Sequence, residues 1–156
     1  MKLLTFEICG SLFGININSV KEINRKVIFT EIPSSLPHVI GLYNMRGQIV
    51  TVFDIVQMMG YGNERYDYKS VNGTVFSCII LKAGDTPDIA AFAVDDAKDV
   101  ISLEDSVYKS VPSNVAPKIR ENLTGVFELE NELLLVIDEV KLFFQRGAND
   151  AAGIHE

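Results

Sequence analysis

Two stretches of this chain repeat each other without a gap. The segment from Gly41 to Asp54 (GLYNMRGQIVTVFD) aligns with the segment from Gly125 to Asp138 (GVFELENELLLVID), each position lying 84 residues from its counterpart. The copies share the leading glycine, a valine (Val52, Val136) and the closing aspartate. At the turn position one copy carries Gly47 and the other Asn131, the two residue types that best tolerate a positive φ in a tight hairpin. Each copy therefore reads as strand, turn, strand and then a short helix capped by its aspartate. A weaker match lies upstream in each half, where Ile17 to Ile23 (INSVKEI) resembles Val94 to Val100 (VDDAKDV). Two related halves built of small strands imply a mainly β chain made of two small barrels or sheets. Neither half is large enough to be very stable alone, so a shared hydrophobic seam is expected.

The remaining pattern agrees with short strands. Residues 3–9 and 13–17 alternate loosely around Gly10 and Ser11, which suits a hairpin turn. Further strands are expected over 27–32, 39–45, 48–53, 74–81, 89–94, 100–103, 123–129 and 133–137, with a turn at 84–88. Asp54 precedes an apolar run with Gln57 three residues on and Gly60 as a stop, the pattern of a capping box. Asp138 caps a second helix likewise, with Gly147 near its end. Residues 61–73 and 104–122 read as connections. The expected organisation is one domain over 1–147 and a fraying tail over 148–156.

Length and composition allow this. A chain of 156 residues with 47% apolar and 22% charged residues is globular and buries roughly 70% of its unfolded surface. Its net charge of −7 disfavours nucleic acid and anionic lipid as partners. Glu7 interrupts any N-terminal apolar run, and the longest aliphatic stretch, 133–137, is far too short to span a bilayer. A soluble cytoplasmic protein is expected. Cys9 and Cys78 lie far apart in apolar contexts and read as buried thiols, a disulfide requiring an oxidising compartment that nothing else suggests.

A search for chemistry finds no enzyme constellation: no nucleophile elbow, P-loop, paired-histidine zinc motif or EF-hand loop. His38 and His155 have no cysteine or carboxylate at metal-ligand spacing. The acidic stretch Asp95, Asp96, Asp99, Glu104 and Asp105 is the best carboxylate cluster; it reads as a solvated face, with a cation-dependent or small-molecule-binding barrel as the alternative. Asn72 and Asn122 fit the glycosylation pattern, which a cytoplasmic protein does not use. Lys21, Arg25 and Lys26, interrupted by Glu22, are too few for a nucleic-acid stripe. Arg46 differs, because it stands at a hairpin apex beside Gly47. There a guanidinium is either simply solvated or presented as a five-donor fork to a partner's carboxylate.

Several segments, taken in order, carry a resemblance over residues 3–144. They are Leu12 to Ile17 (LFGINI), Val20 to Ile23 (VKEI), Ile32 and Pro33 with Pro37, Ile40 to Asp54, Val94 to Val100, and Leu123 to Val126 (LTGV). In these the chain resembles the CheW-like family. The resemblance implies two five-stranded, SH3-like β-barrels around a shared core, no catalysis and no cofactor or metal. It implies as partners the cytoplasmic hairpin tip of chemoreceptors, the regulatory domain of the histidine kinase CheA and other CheW-like domains, assembled in arrays at the membrane. By position it places receptor contacts on Val20, Glu22, Gly41 and Arg46, with Ile17 and Val100 lining a groove between the halves. Val20 would be an apolar anchor, Glu22 and Arg46 opposite charges, and Gly41 a point of close approach for a receptor helix. Kinase contacts fall on the barrel ends, without assigned residues. With no receiver or kinase segment in the sequence, a stand-alone adaptor is expected rather than a piece of a fusion. A coupling protein of a non-flagellar chemosensory pathway is the alternative within the family. Two positions depart from the family pattern: Met45 where leucine is usual, a volume-conserving change, and Thr51 where proline is usual, which restores a backbone donor.

Overall fold

The computed structural model describes residues 1–31, 38–59, 75–82, 89–104 and 107–145. Pro33, Pro37, Gly60, the connection 61–73, the turn 84–88, Asp105, Gly147 and the tail 148–156 lie outside these residues. In chain order the strands are β1 (Lys2–Ile8), β2 (Ser11–Asn16), β3 (Val20–Val27), β4 (Thr30–Glu31), β5 (Val39–Met45) and β6 (Gln48–Phe53). They continue with β7 (Phe76–Leu81), β8 (Ile89–Val94), β9 (Asp96–Ser102), β10 (Tyr108–Lys109), β11 (Leu123–Glu128) and β12 (Leu133–Ile137). A 3₁₀ turn (Ile17–Ser19) joins β2 to β3; α1 (Ile55–Met58) follows β6, α2 (Pro117–Arg120) precedes β11, and a π-helical segment (Val140–Gln145) follows β12.

The strands form two sheets of the same plan. The first runs β10-β11-β12-β2-β1-β9; the second, read from its far edge, runs β4-β5-β6-β8-β7-β3. Strand for strand the two orders correspond. Within each, one pairing is parallel, β12 with β2 and β6 with β8, and the others are antiparallel. The repeat is preserved down to the register. Gly41 faces Val52 and Gly125 faces Val136, with an irregularity just before each glycine. The weaker repeat also maps onto corresponding strands, β3 and β9, each irregular at the same place: between Val20 and Glu22, and opposite the step from Leu4 to Phe6. The second sheet is contiguous over 20–94, whereas the first takes β1 and β2 from the start of the chain and β9 to β12 from its end. One sheet is thus a circular permutation of the other.

The expectation of five strands per half is corrected to six, because each sheet gains a two-residue strand, β4 or β10, at one edge. Among the described residues neither ladder closes on itself, so the halves are SH3-like sheets and not closed barrels. The first turn also differs from expectation. Cys9 and Gly10, with φ of 53° and 79°, make it, and Ser11 already belongs to β2. Asn131 does not adopt a positive φ. Its ladder ends at Glu128 and Leu133, and in the four-residue connection between them the Leu129 amide donates to the Glu132 carbonyl at 2.8 Å. Loops of that length are most often built around a type I turn, which has no left-handed residue. The aspartates behave alike. The Asp54 carboxylate accepts from the Gln57 amide and that of Asp138 from the Lys141 amide, both at 3.2 Å. The aspartate amides donate to the carbonyls of His38 and Asn122, again 84 residues apart.

Alternation along the strands sorts side chains into three cores. On β7, Cys78 and Ile80 point into the second sheet with Val50, Val52 and Ala91. Leu3, Leu12, Phe127, Leu134 and Val136 fill the first. The opposite faces meet in the largest cluster, where Leu4, Phe6, Phe13 and Ile15 of the first sheet meet Ile79 and Phe92 of the second, closed over by α1 and Leu142. Phe6 and Phe92 cross this seam with ring centroids 5.3 Å apart. Each is fully buried, and such burial contributes about 1.5–3 kcal/mol per side chain. Among the described residues no helix is long and apolar enough to cross a membrane.

A candidate interface at the first hairpin tip

Strands β5 and β6 are joined by only Arg46 and Gly47, both left-handed with φ of 51° and 86°. This is the backbone of a two-residue turn whose twist matches that of its strands. The Asn44 side-chain oxygen accepts from the Gly47 amide at 2.7 Å across the turn. From the apex Arg46 Nη2 donates to Glu22 Oε2 at 2.6 Å. Glu22 lies on β3, at the opposite edge of the sheet order from β5, so the second sheet must curl for the two to meet. The pair stays in reach of solvent, the Arg46 side chain being 71% and Glu22 29% exposed. The hydrogen bond and charge of Glu22 raise the Arg46 pKa above its already high ordinary value, so the guanidinium is always charged. Tyr43, half-buried beneath the tip, has its hydroxyl pushed up to about 12, chiefly by burial and further by the nearby Cys78 and Glu22. It is a neutral hydroxyl at any physiological pH.

The structure brings Arg46 and Glu22 together and separates them from the other candidates. Val20, expected as an apolar anchor for a receptor, is only 8% exposed and sits in the seam between the sheets. Gly41 is buried. A Cβ there would lie 2.4 Å from the Thr30 carbonyl oxygen and 2.9 Å from the Phe29 ring. A close approach within the chain, from Phe29 and Thr30 at the sheet's edge, thus demands this glycine. Gly125 has the same role under Tyr108 and the Lys109 carbonyl. Ile17 is half-buried against the seam core. Val100, on β9, is 48% exposed.

Two carboxylates of the acidic stretch have partners within the chain. Asp95 accepts from the Cys9 amide at 2.9 Å. Lys98 reaches Asp96 at 3.3 Å and Glu7 at 3.6 Å, and the Asp99 carbonyl accepts from the Thr5 hydroxyl. No group of side chains suited to a metal ion occurs among the described residues. Cys78 is buried, its thiol pushed up to about 12 by burial. Cys9, expected to be buried as well, is only half-buried in its turn, at the margin of the seam.

Three features escaped the sequence reading. Asn44 carries a recognisable signal, an asparagine three residues before a turn glycine, where its amide can accept from the backbone. Ile28 and Val75 are both exposed and flank the Val27–Phe76 pair at one end of the second sheet, beside the stacked rings of Phe29 and Phe76. Val107 and Met1 are exposed at the end of the first sheet, Val107 adjoining Tyr108 as Ile28 adjoins Phe29. Nothing in composition distinguishes these apolar residues from core ones; only strand pairing does.

Comparisons with known proteins agree with this architecture. A sequence model described as the CheW-like domain matches residues 2–146. The chain is 27% identical over 137 residues to the chemotaxis protein CheW of Bacillus subtilis, covering 88% of this chain and 83% of that one. It is 28% identical to the chemotaxis protein CheW of Klebsiella aerogenes, covering 90% and 80%. The solved scaffolding protein TtCheW of Thermoanaerobacter tengcongensis has the same fold, with a TM-score of 0.68, 23% identity, and coverage of 88% and 83%.

Proposed function

The chain belongs to the CheW-like family and is a non-catalytic chemotaxis adaptor, and from that premise we propose that it couples chemoreceptors to the kinase CheA. In this reading a receptor's cytoplasmic hairpin tip docks at the Arg46–Glu22 turn. The observation that carries it is an arginine held on a two-residue turn, paired with Glu22 of β3 and still open to solvent. An exposed fork of donors on a fixed backbone binds a carboxylate partner with little ordering cost. Val100, exposed on β9, and Ile17, half-buried at the seam, are the further receptor-groove residues of this reading. Val20 and Gly41, being buried, act by shaping that groove.

The apolar ends at Ile28 with Val75, and at Val107 with Met1, are the places for partners that share the fold: the regulatory domain of the kinase and other CheW-like domains. Two similar ends on one molecule suit an array, in which modest contacts gain strength from effective concentration. The protein then works in the cytoplasm at membrane-associated receptor arrays, with residues 1–147 acting as one domain.

Co-sedimentation with receptor cytoplasmic fragments and the CheA kinase of the same organism tests this. Wild-type protein should support ternary assembly and kinase activation. Arg46→Glu should lose receptor binding while its thermal unfolding midpoint stays near that of the wild type, since the residue is a solvent-facing turn charge. Unfolding of the variant near room temperature, or unchanged receptor binding, would remove Arg46 from the interface.

A further inference from the structure

The two hairpin tips are copies in sequence register, yet their backbones differ. At the first tip, Arg46 and Gly47 are both left-handed and Asn44 accepts from the Gly47 amide at 2.7 Å. At the second, the residue corresponding to Asn44 is Glu128, which pairs with Lys109 at 2.8 Å, away from the turn. There Glu130 stands in place of Arg46, and neither it nor Asn131 has a positive φ. The device therefore belongs to the tip that presents the arginine and is not a general property of the repeat. A left-handed conformation is unfavourable for any side chain with a Cβ, so Arg46 holds it only if surrounding contacts impose it. Glu22 holds the far end of the side chain. The Asn44 bond acts on the turn backbone itself, beside the Met45–Gln48 pairing that closes it.

We propose that Asn44 is a positioning residue for receptor recognition, locking the left-handed turn that aims Arg46. This rests on the adaptor reading for its function and on the tip geometry for its mechanism. Asn44 is itself exposed and buries nothing, so its removal leaves the three cores intact. Without the side-chain acceptor the turn samples other conformations, and the guanidinium leaves both Glu22 and the position a receptor carboxylate would meet.

The test uses the whole protein with Asn44→Ala, Asn44→Asp, Arg46→Ala and the double variant Asn44→Ala with Arg46→Ala. In the protein alone, Asn44→Ala should lose hydrogen-exchange protection at the Gly47 amide and broaden the Arg46 guanidinium resonance; Asn44→Asp, which keeps the acceptor, should retain both. Against a receptor cytoplasmic fragment of the same organism, Asn44→Ala should bind about fivefold more weakly, the scale of one hydrogen bond. It should have no further effect once Arg46 is alanine. An equal loss in the Arg46→Ala background would show that Asn44 acts otherwise than through Arg46 and would overturn the proposal, as would unchanged Gly47 protection in Asn44→Ala. A wild-type protein that binds no receptor fragment would remove the adaptor reading and the binding role of Asn44 together, while the exchange and resonance measurements decide separately whether the lock exists.

Discussion

Gly41 and Gly125 are identical because equivalent contacts in the two halves impose the same demand. In each half an aromatic ring and a backbone carbonyl from the edge strand occupy the space a Cβ would need, Phe29 and Thr30 in one, Tyr108 and Lys109 in the other. Gly41→Ala and Gly125→Ala should therefore each lower stability by about 1–3 kcal/mol, the cost of overpacking. Urea midpoints check this, and a neutral effect at either site would mean that the edge strand gives way. Asp54 poses an opposite question, since it caps a helix from a buried position. Burial raises its carboxyl above the usual 3.8, against the pull of the Gln57 and Val56 amides and of His38. A folded pKa above the unfolded one means the native state binds the proton more readily. The contribution of Asp54 is then most favourable at acid pH and is eroded as pH rises from the unfolded value through the folded one. An asparagine at this position would keep a capping oxygen without the charge. Asp54→Asn should be at least as stable as the wild type at neutral pH, and its advantage should shrink toward about pH 4. A growing advantage on acidification would contradict the sign.

At the scale of elements, the two hairpins separate what a turn residue requires from what it tolerates. Gly47 has a φ of 86°, so Gly47→Ala should cost about 1 kcal/mol. Asn131 is not left-handed, and Asn131→Ala should be close to neutral by the same denaturation measurement. The hairpins 39–53 and 123–137 were legible because they repeat each other in register and an aspartate closes each. Strand β3 was not, because VKEINRKV carries its buried residues at the ends and irregular pairing breaks the alternation between them. Strands β4 and β10 have two residues each, too few for any periodicity to register. The site divides in the same way. Arg46 could be placed at an apex from the turn chemistry, but its pairing with Glu22 depends on the curl of a whole sheet. The burial of Val20 depends on a second sheet packing against it.

For the molecule as a whole, the decisive fact is the seam. Its core draws on β1 and β2, β7 and β8, α1 and the residue Leu142 near the end of the described chain. Unfolding should consequently be a single transition, with circular dichroism and tyrosine fluorescence superimposing along a urea titration. Deleting residues 1–16 should abolish that transition, because it removes β1 and β2 from the middle of the first sheet and strips Phe6 and Phe13 from the seam. Retention of a cooperative transition in the truncated chain would show that the contiguous stretch 20–94 stands alone. The net charge of −7 acts at this scale too, keeping apolar ends from indiscriminate association.

The pairing of Leu12 with Leu134 also governs how the chain is made. A ribosome delivers β1 and β2 before the second sheet, yet their neighbours β9 and β12 follow only after the whole of that sheet. At about 5–20 residues per second the interval is on the order of ten seconds. Through it, the N-terminal hairpin holds Leu3, Leu12 and Phe13 without their final cover, while residues 20–94 emerge and pair among themselves. The opening hairpin is thus the segment exposed longest during synthesis, and the one on which chaperones have most time to act.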